Sequence, residues 1–346
     1  MNTHRRPVAV YGAHGHTAAF VLRELRARGL TPVLVGRDPA KLRAAARDHP
    51  AARTAVASVD DGPSLDRAFT GAAAVVNCAG PFADTVPGVV EAALRARIPY
   101  LDVAAEQAVT LETFQRYAGP ARDAGVPVVP SMAFYGGLGD LLADAATADW
   151  PDADDITVAI HLDSWHPTHG TRRTVTRNAG RHLAFTGNRL TAPTSPPRTR
   201  TWTFPAPLGT QDVIELCTAD QVTISRHLRV PEIRVLINRT PLDDLGDPTT
   251  PPPAPVDADG RSAQTFHVEA VARRGGARRR ASASGRDIYA ITAPLVVEAA
   301  VRILDGRVRR GGGVSAAAEL FDATDFLRAL DPGHLSFVTG VPRVPS

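Results

Sequence analysis

The chain has 346 residues, 44% of them hydrophobic, which is too long for one ordinary core and too apolar for disorder, so two packed domains are expected. Its 39 basic and 36 acidic residues nearly cancel, which is not the balance of a nucleic-acid binder. Only Lys41 among the basic residues is a lysine; this excludes a Schiff base anywhere else, a G-x-x-x-x-G-K-[ST] phosphate loop and a Tyr-x-x-x-Lys proton relay.

Two cysteines, Cys78 and Cys217, supply neither a disulfide framework nor a cysteine-rich zinc site. The first residues, MNTHRR, run into a strand-like segment without an apolar signal core. No apolar stretch approaches the ~18 residues of a membrane span. The chain reads as soluble and cytoplasmic.

In chain order, strands are expected over 7–11, 32–35, 55–59, 73–77, 99–103 and 127–130. Helices are expected between them, over 16–28, 39–48, 64–69, 88–97 and 110–124. Strand–helix alternation with short joints predicts a parallel sheet with right-handed crossovers, a doubly wound Rossmann domain over 1–130. From about 150 the character changes. A strand over 156–163 and a helix over 170–178 precede short strands over 200–204, 213–217 and 233–238. Two longer strands, 264–273 and 278–289, flank Gly275-Gly276, a two-residue hairpin signal. Residues 131–290 therefore read as an α+β domain with a largely antiparallel sheet, for substrate binding or oligomerisation. Helices over 293–304 and 316–330 follow, within a segment 291–330 expected to pack back on the first domain. The overall class is α/β. The dense run Arg273-Arg274 and Arg278-Arg279-Arg280 then sits on strand ends around a turn, where charge discourages strand addition.

The first strand opens into Gly12-Ala13-His14-Gly15-His16-Thr17-Ala18, a G-x-x-G-x-x-A loop at a helix start. The first glycine permits the tight turn and the second lets backbone amides approach a pyrophosphate. A small residue at the third position allows close helix–strand packing. At the end of the second strand, Gly36 stands where an NAD site carries an acid, and Arg37 follows. A guanidinium there can grip a 2′-phosphate, and Lys41 can add a second cation. Asp38 with Pro39 reads as a helix N-cap and first position. NADP(H) is therefore expected over NAD(H). Asp60 can meet the adenine amine or be a plain loop residue. Asn77-Cys78-Ala79-Gly80-Pro81-Phe82 ends the fourth strand, where a nicotinamide ribose would lie. Cys78 reads as a buried thiol in preference to a reactive one.

These stretches resemble the saccharopine dehydrogenase-like NADP-dependent reductases. The resemblance rests on residues 12–18, Val35-Gly36-Arg37, residues 77–82, Tyr100-Leu101-Asp102-Val103-Ala104-Ala105-Glu106 and Ala133-Phe134-Tyr135-Gly136-Gly137-Leu138-Gly139-Asp140. It covers about the first 145 residues and thins beyond. Ala18 and Ala105 stand where such proteins often carry glycine, and Tyr135 where an acid is common. The resemblance implies two domains, an NADP-dependent oxidoreductase acting on C=N or C=C bonds, and a homodimer, expected through the second domain.

Hydride transfer needs a proton donor or acceptor, and without lysine it falls to Tyr, His or an acid. Asp102 and Glu106 follow the fifth strand; each can orient a ribose or an amine, or simply cap a helix. Tyr135 can donate a proton or be packed. Trp165, His166 and Arg172 form a polar-aromatic segment, with Arg172 suited to an anionic substrate and His166 to general acid work. His227 and Tyr289 complete the candidates. No metal is expected, although His166 and His169 lie close in sequence. The leading expectation is NADPH-dependent reduction of a small polar substrate. Its rivals are NADP⁺-dependent oxidation of an amine or alcohol, and an NADP-binding sensor or scaffold without turnover.

Overall fold

The computed structural model describes residues 6–178, 180 and 182–340; the expectation about a leader, which turns on the first residues, lies mostly outside them. The described chain divides into two units. Unit 1 comprises the residues up to Ala133 together with Thr292–Phe321, and unit 2 comprises Phe134–Ile291 together with the residues from Asp322 onward.

Unit 1 alternates strand and helix as its apolar pattern dictates. Its elements are β1 (Pro7–Tyr11), α1 (His16–Ala27), β2 (Thr31–Gly36), α2 (Pro39–Ala46), β3 (Arg53–Val56), α3 (Gly62–Phe69), β4 (Ala74–Asn77), α4 (Phe82–Ala96), β5 (Tyr100–Asp102), α5 (Gln107–Ala124) and β6 (Pro127–Val129). All pairings in its seven-stranded sheet are parallel. The order is β15-β6-β5-β4-β1-β2-β3, where β15 (Gly313–Val314) comes from the returning segment. The strand order reverses between β1 and β4, the switch point at which open α/β sheets bind ligands beyond the strands' carboxyl ends. Continuous apolar strands follow from burial on both faces: Val8, Ala9 and Val10 are fully buried, as are Ala74, Val75 and Val76.

Helix boundaries shift where proline misleads. The pattern places the fourth helix at 88–97, but α4 begins at Phe82 and carries Pro87 inside it. Proline lacks the N–H for the i→i−4 bond, yet Val86, Val89 and Val90 stay buried on either side of it, and packing holds the turn. The same holds for Pro294 in α10 (Ile288–Leu304), which starts five residues before the expected 293. Within unit 1, Glu298 of α10 accepts from Arg28 and Arg302 at 2.7 Å each, tying the returning segment to α1.

Unit 2 is a mixed sheet. It holds α6 (Gly139–Thr147), β7 (Asp155–Leu162), α7 (His169–Asn178), β8 (Ala184–Thr186), β9 (Arg189–Thr191), β10 (Thr199–Thr203), β11 (Thr210–Leu216), α8 (Ala219–Ile224), β12 (Glu232–Asn238), α9 (Thr240–Gly246), β13 (Thr265–Arg274) and β14 (Ala277–Arg286). After the chain's excursion into unit 1, which ends in α11 (Ala317–Leu320), come α12 (Ala323–Leu330) and β16 (Ser336–Thr339). The helix expected over 316–330 is thus two, because Asp322 accepts from the Asp325 amide and caps a new start. The main path is β10-β11-β12-β7-β13-β14-β16, with the β8–β9 hairpin attached to β12. Its pairings are antiparallel except β12 with β7, which run parallel across the long connection between them. Helix α6 lies across β13 and β14, and α12 packs on α6. At the β13–β14 turn, Gly275 and Gly276 take φ of +54° and +82°, the positive values a two-residue turn requires.

Candidate functional site

In unit 1 the loop between β1 and α1 is built around glycine. Gly12 has φ +81°, and a Cβ there would lie 2.7 Å from the Ala79 Cβ, so the loops after β1 and β4 touch only because residue 12 has no side chain. The Gly12 amide donates to the Val35 carbonyl at 2.8 Å, and Ala13 donates to the same oxygen at 3.2 Å, which folds the loop toward β2. Gly15 is the N-cap of α1, with no side-chain cap and no acid in the first turn. The helix therefore offers its first amides and the positive end of its dipole to an anion. This cradle fits the pyrophosphate of a dinucleotide. His16 packs edge-on against Phe20 at 5.3 Å, turned along α1.

The end of β2 decides what sits beside the ribose. The Asp38 carboxylate caps α2, accepting from Ala40 N at 2.9 Å and Lys41 N at 3.1 Å, which holds it below the usual carboxylate range. The acid that follows this strand end is thus committed to the helix. Arg37 is exposed, and neither its side chain nor that of Lys41 has a partner among the described residues. A cavity of about 430 Å³ opens between α1 and α2, with His14, Gly15 and Lys41 in its wall. Asp60 is exposed in the loop after β3, where it contacts Ser58.

At the carboxyl ends of β4 and β5 lies a buried polar chain. Asn77 donates to Thr85 Oγ1 at 3.1 Å and to Tyr100 Oη at 3.3 Å, and accepts from Ala79 N at 3.0 Å. Tyr100 donates to Asp102 Oδ2 at 3.0 Å, while Asp102 Oδ1 accepts from Ala104 N and Ser131 N. Asp102 is fully buried, and desolvation raises its pKa to about 6 against these three donors. Its carboxylate holds the loops after β5 and β6. Glu106 precedes α5 and accepts from Phe82 N at 2.9 Å, fixing the start of α4. Desolvation, with a smaller contribution from Asp102, pushes the Cys78 thiol well above its ordinary range, so it is no thiolate at neutral pH.

In unit 2 the structure brings Tyr135, Trp165 and Tyr289 together. Tyr135 stacks on Trp165 with ring centroids 5.8 Å apart and meets Phe134 edge-on at 5.0 Å. The Tyr289 hydroxyl is held by Trp165 Nε1 at 3.1 Å, Thr168 N at 3.3 Å and Thr171 Oγ1 at 2.9 Å. Tyr135 differs. Its hydroxyl is buried and has no hydrogen-bond partner among the described residues. Desolvation, then Asp220 and Tyr289, push its pKa well above the ordinary value, so it stays protonated.

The backbone that presents Tyr135 is clamped by α8. Gly136 takes φ +97°. Its amide donates to Asp220 Oδ2 at 3.0 Å and its carbonyl accepts from Thr223 Oγ1 at 3.1 Å. A Cβ at Gly139 would overlap the Asp220 carboxylate. The sequence alone singles out neither Asp220 nor α8; the Thr218-x-x-Gln221 capping box, with Thr218 N donating to Gln221 Oε1 at 2.7 Å, is the signal that marks that helix.

The other candidates point elsewhere. His227 pairs with the fully buried Asp140 at 2.6 Å. Arg172 donates to the carbonyls of Asp247 and Thr250 and so braces a loop. His166 is half-buried next to Trp165 in the chain. No group of three or more His, Cys, Asp or Glu suited to a metal occurs among the described residues. Nor is any described helix long and apolar enough to cross a membrane.

Part of this chain is similar to known proteins. Residues 8–129 match the model of the saccharopine dehydrogenase NADP binding domain. A lipid droplet localized protein of Caenorhabditis elegans is 33% identical over 137 residues, 36% of this chain. The match covers about a third of that relative's length (32%). The apo saccharopine dehydrogenase (L-Glu forming) of Saccharomyces cerevisiae superposes with a TM-score of 0.66 at 12% identity, over 97% of this chain and 100% of that one. That likeness is one of fold. A parallel sheet in the order of a dinucleotide-binding domain, a glycine cradle at its switch point and the match of residues 8–129 to the saccharopine dehydrogenase NADP binding domain agree on a nicotinamide dinucleotide as the cofactor class.

Proposed function

We propose that the chain is an NADP(H)-dependent oxidoreductase that transfers hydride to a C=N or C=C bond of a small polar substrate. The observation that carries the cofactor choice is the division of labour at the end of β2. Asp38 is consumed as a cap, while the Arg37 and Lys41 side chains have no hydrogen-bond or ion-pair partner among the described residues. A ribose 2′-hydroxyl would find the Asp38 carboxylate already taken, whereas a 2′-phosphate would find two cations.

When bound, the dinucleotide supplies the hydride. The protein's own part is binding and proton supply. The amides at the start of α1 hold the pyrophosphate, and Arg37 and Lys41 hold the 2′-phosphate. Asn77, Tyr100 and Asp102 fix the loops at the sheet's carboxyl edge. Tyr135 is the proposed proton donor: its Oη–H is retained at neutral pH and uncommitted to protein, so it can pass its proton to a substrate atom that gains electron density as hydride arrives. His166 is the second candidate. The arginine-rich hairpin is paired internally, so no nucleic-acid partner is proposed; self-association through unit 2 is, with sedimentation as its check.

The test is NADPH fluorescence across a panel of imines, enones and keto acids. Turnover is expected with at least one class, and NADPH is expected to bind more tightly than NADH. With that substrate, Tyr135→Phe should lose about 10²-fold in kcat while keeping its NADPH affinity. Full turnover in both Tyr135→Phe and His166→Ala would remove both donors. Binding without any turnover would favour the sensor.

A further inference from the structure

Position 36 is where a dinucleotide site keeps its ribose-binding acid, and here it is glycine. A Cβ built on Gly36 would meet His14 Nδ1 at 3.7 Å and Leu42 Cδ2 at 3.5 Å, both ordinary contacts. The His14 imidazole therefore borders the ground an acid at position 36 would use. It stands exposed at the rim of the cavity between α1 and α2, with Lys41 in the same wall. No hydrogen bond holds its ring among the described residues. The charges that act on it most come from the β2–α2 corner, Lys41, Asp38 and Arg37, while Asp48 and His49, just after α2, line the same cavity.

We propose that His14 reads the 2′-phosphate by taking up a proton from solvent when that phosphate binds, which makes preference for NADP(H) over NAD(H) depend on pH. This rests on the NADP(H) reading given above. The physical reason lies in the sum of charges. In the free protein, partial desolvation and the Lys41 charge hold the imidazole below its ordinary pKa, Asp38 opposes them, and Arg37 adds to the lowering. It is thus mostly neutral at pH 7. A phosphate dianion brought beside it reverses the local sign and favours imidazolium. A group that gains a proton on binding makes affinity fall as pH rises, by up to about tenfold per unit between its free and bound pKa values. The phosphate's own second ionisation works the other way, because the dianion binds better. The two contributions therefore differ in sign.

The experiment uses 2′,5′-ADP and 5′-AMP, which differ only in the 2′-phosphate. Each is titrated calorimetrically against the full chain from pH 6 to 8, in buffers of different ionisation enthalpy. In the wild type, 2′,5′-ADP affinity should fall several-fold per pH unit above about pH 6.5, with net proton uptake, while 5′-AMP, whose own phosphate loses its second proton near about pH 6, shows no such fall. His14→Gln should abolish the uptake and flatten or invert that slope. Gly36→Asp, whose Cβ has room, should set a carboxylate against the imidazole and cost most of the preference for 2′,5′-ADP; its thermal midpoint reports that it is folded. Should His14→Gln keep the wild-type slope and uptake while 2′,5′-ADP still binds more tightly than 5′-AMP, the role given to His14 is wrong and the NADP(H) reading stands. Should 2′,5′-ADP bind no more tightly than 5′-AMP in the wild type, both fall.

Discussion

Two regions of this chain are rich in positive charge, and they are opposite in kind. Around the β13–β14 turn, Arg273 pairs with Asp155 at 2.8 Å, Arg274 with Asp152 at 2.6 Å and Arg280 with Glu269 at 2.8 Å. Arg279 pairs with Asp149 and lies over the Trp150 ring at 4.4 Å, and Arg278 lies over Trp202 at 6.0 Å. The Gly275 amide donates to Asp154 at 2.7 Å. At the end of β2 there are only two cations, and neither has a partner among the described residues. The run that stands out in the sequence is spent on its own fold. The pair that is inconspicuous is left for something else. Charge density therefore says less about binding than whether each charge is already matched, which only the folded chain reveals.

The largest expected effect sharpens this contrast. Arg37→Ala combined with Lys41→Ala removes two charge-assisted contacts to the 2′-phosphate. NADPH affinity should then drop by about two to three orders of magnitude, roughly 3–4 kcal/mol. NADH affinity should move less than about twofold, and the thermal midpoint should stay put, because no intramolecular bond is lost. Fluorescence titration with both cofactors checks it; equal losses for the two would mean that the cations do not face a 2′-phosphate.

Next in size is Arg280→Ala, at the other region. Glu269 is fully buried and also accepts from Trp202 Nε1 at 2.6 Å, with His267 Nε2 at 3.3 Å. Removing the guanidinium strands a carboxylate with only part of its shell. A loss of about 2–3 kcal/mol in urea unfolding is expected, at the low end for a broken buried pair because Trp202 and His267 remain. Cofactor affinity should not change. A variant that weakened NADPH binding without destabilising would collapse the distinction between the two regions.

Unit 1 is largely legible from the sequence because its rules are local. Apolar tetrads make buried strands, Gly12 and Gly15 mark the loop, and Asp38-Pro39 mark the next helix start, as the Asp38 cap bonds bear out. Where it misleads, proline is the cause, at Pro87 and Pro294. Unit 2 is legible in outline only. Residues 139–147 carry no expected element, yet with Leu141, Leu142, Ala143 and Ala145 buried they form α6. The β8–β9 hairpin and β16 are too short and too polar to stand out. The unsatisfied Tyr135 hydroxyl is invisible in sequence for a deeper reason: its backbone is fixed by Asp220 and Thr223, more than 80 residues away. Likewise Asp102, Glu106, Arg172 and His227 are residue types suited to chemistry, but the fold commits each to another protein group.

The smallest predicted effect tests whether the hairpin's charges matter one by one. The Arg274 and Asp152 side chains are 42% and 53% exposed, so water already screens the pair and both side chains lose rotamer freedom in making it. Arg274→Ala should therefore cost at most about 0.5 kcal/mol, and less again in high salt. Beside the Arg280 result, this separates two roles within one run of arginines. Where the partner is buried, the charge completes the fold; where both partners are wet, it leaves the hairpin soluble and lightly tethered. A loss from Arg274→Ala as large as that from Arg280→Ala would show that the hairpin's ion pairs act as one network, and that its exposed members stabilise unit 2 through the buried one.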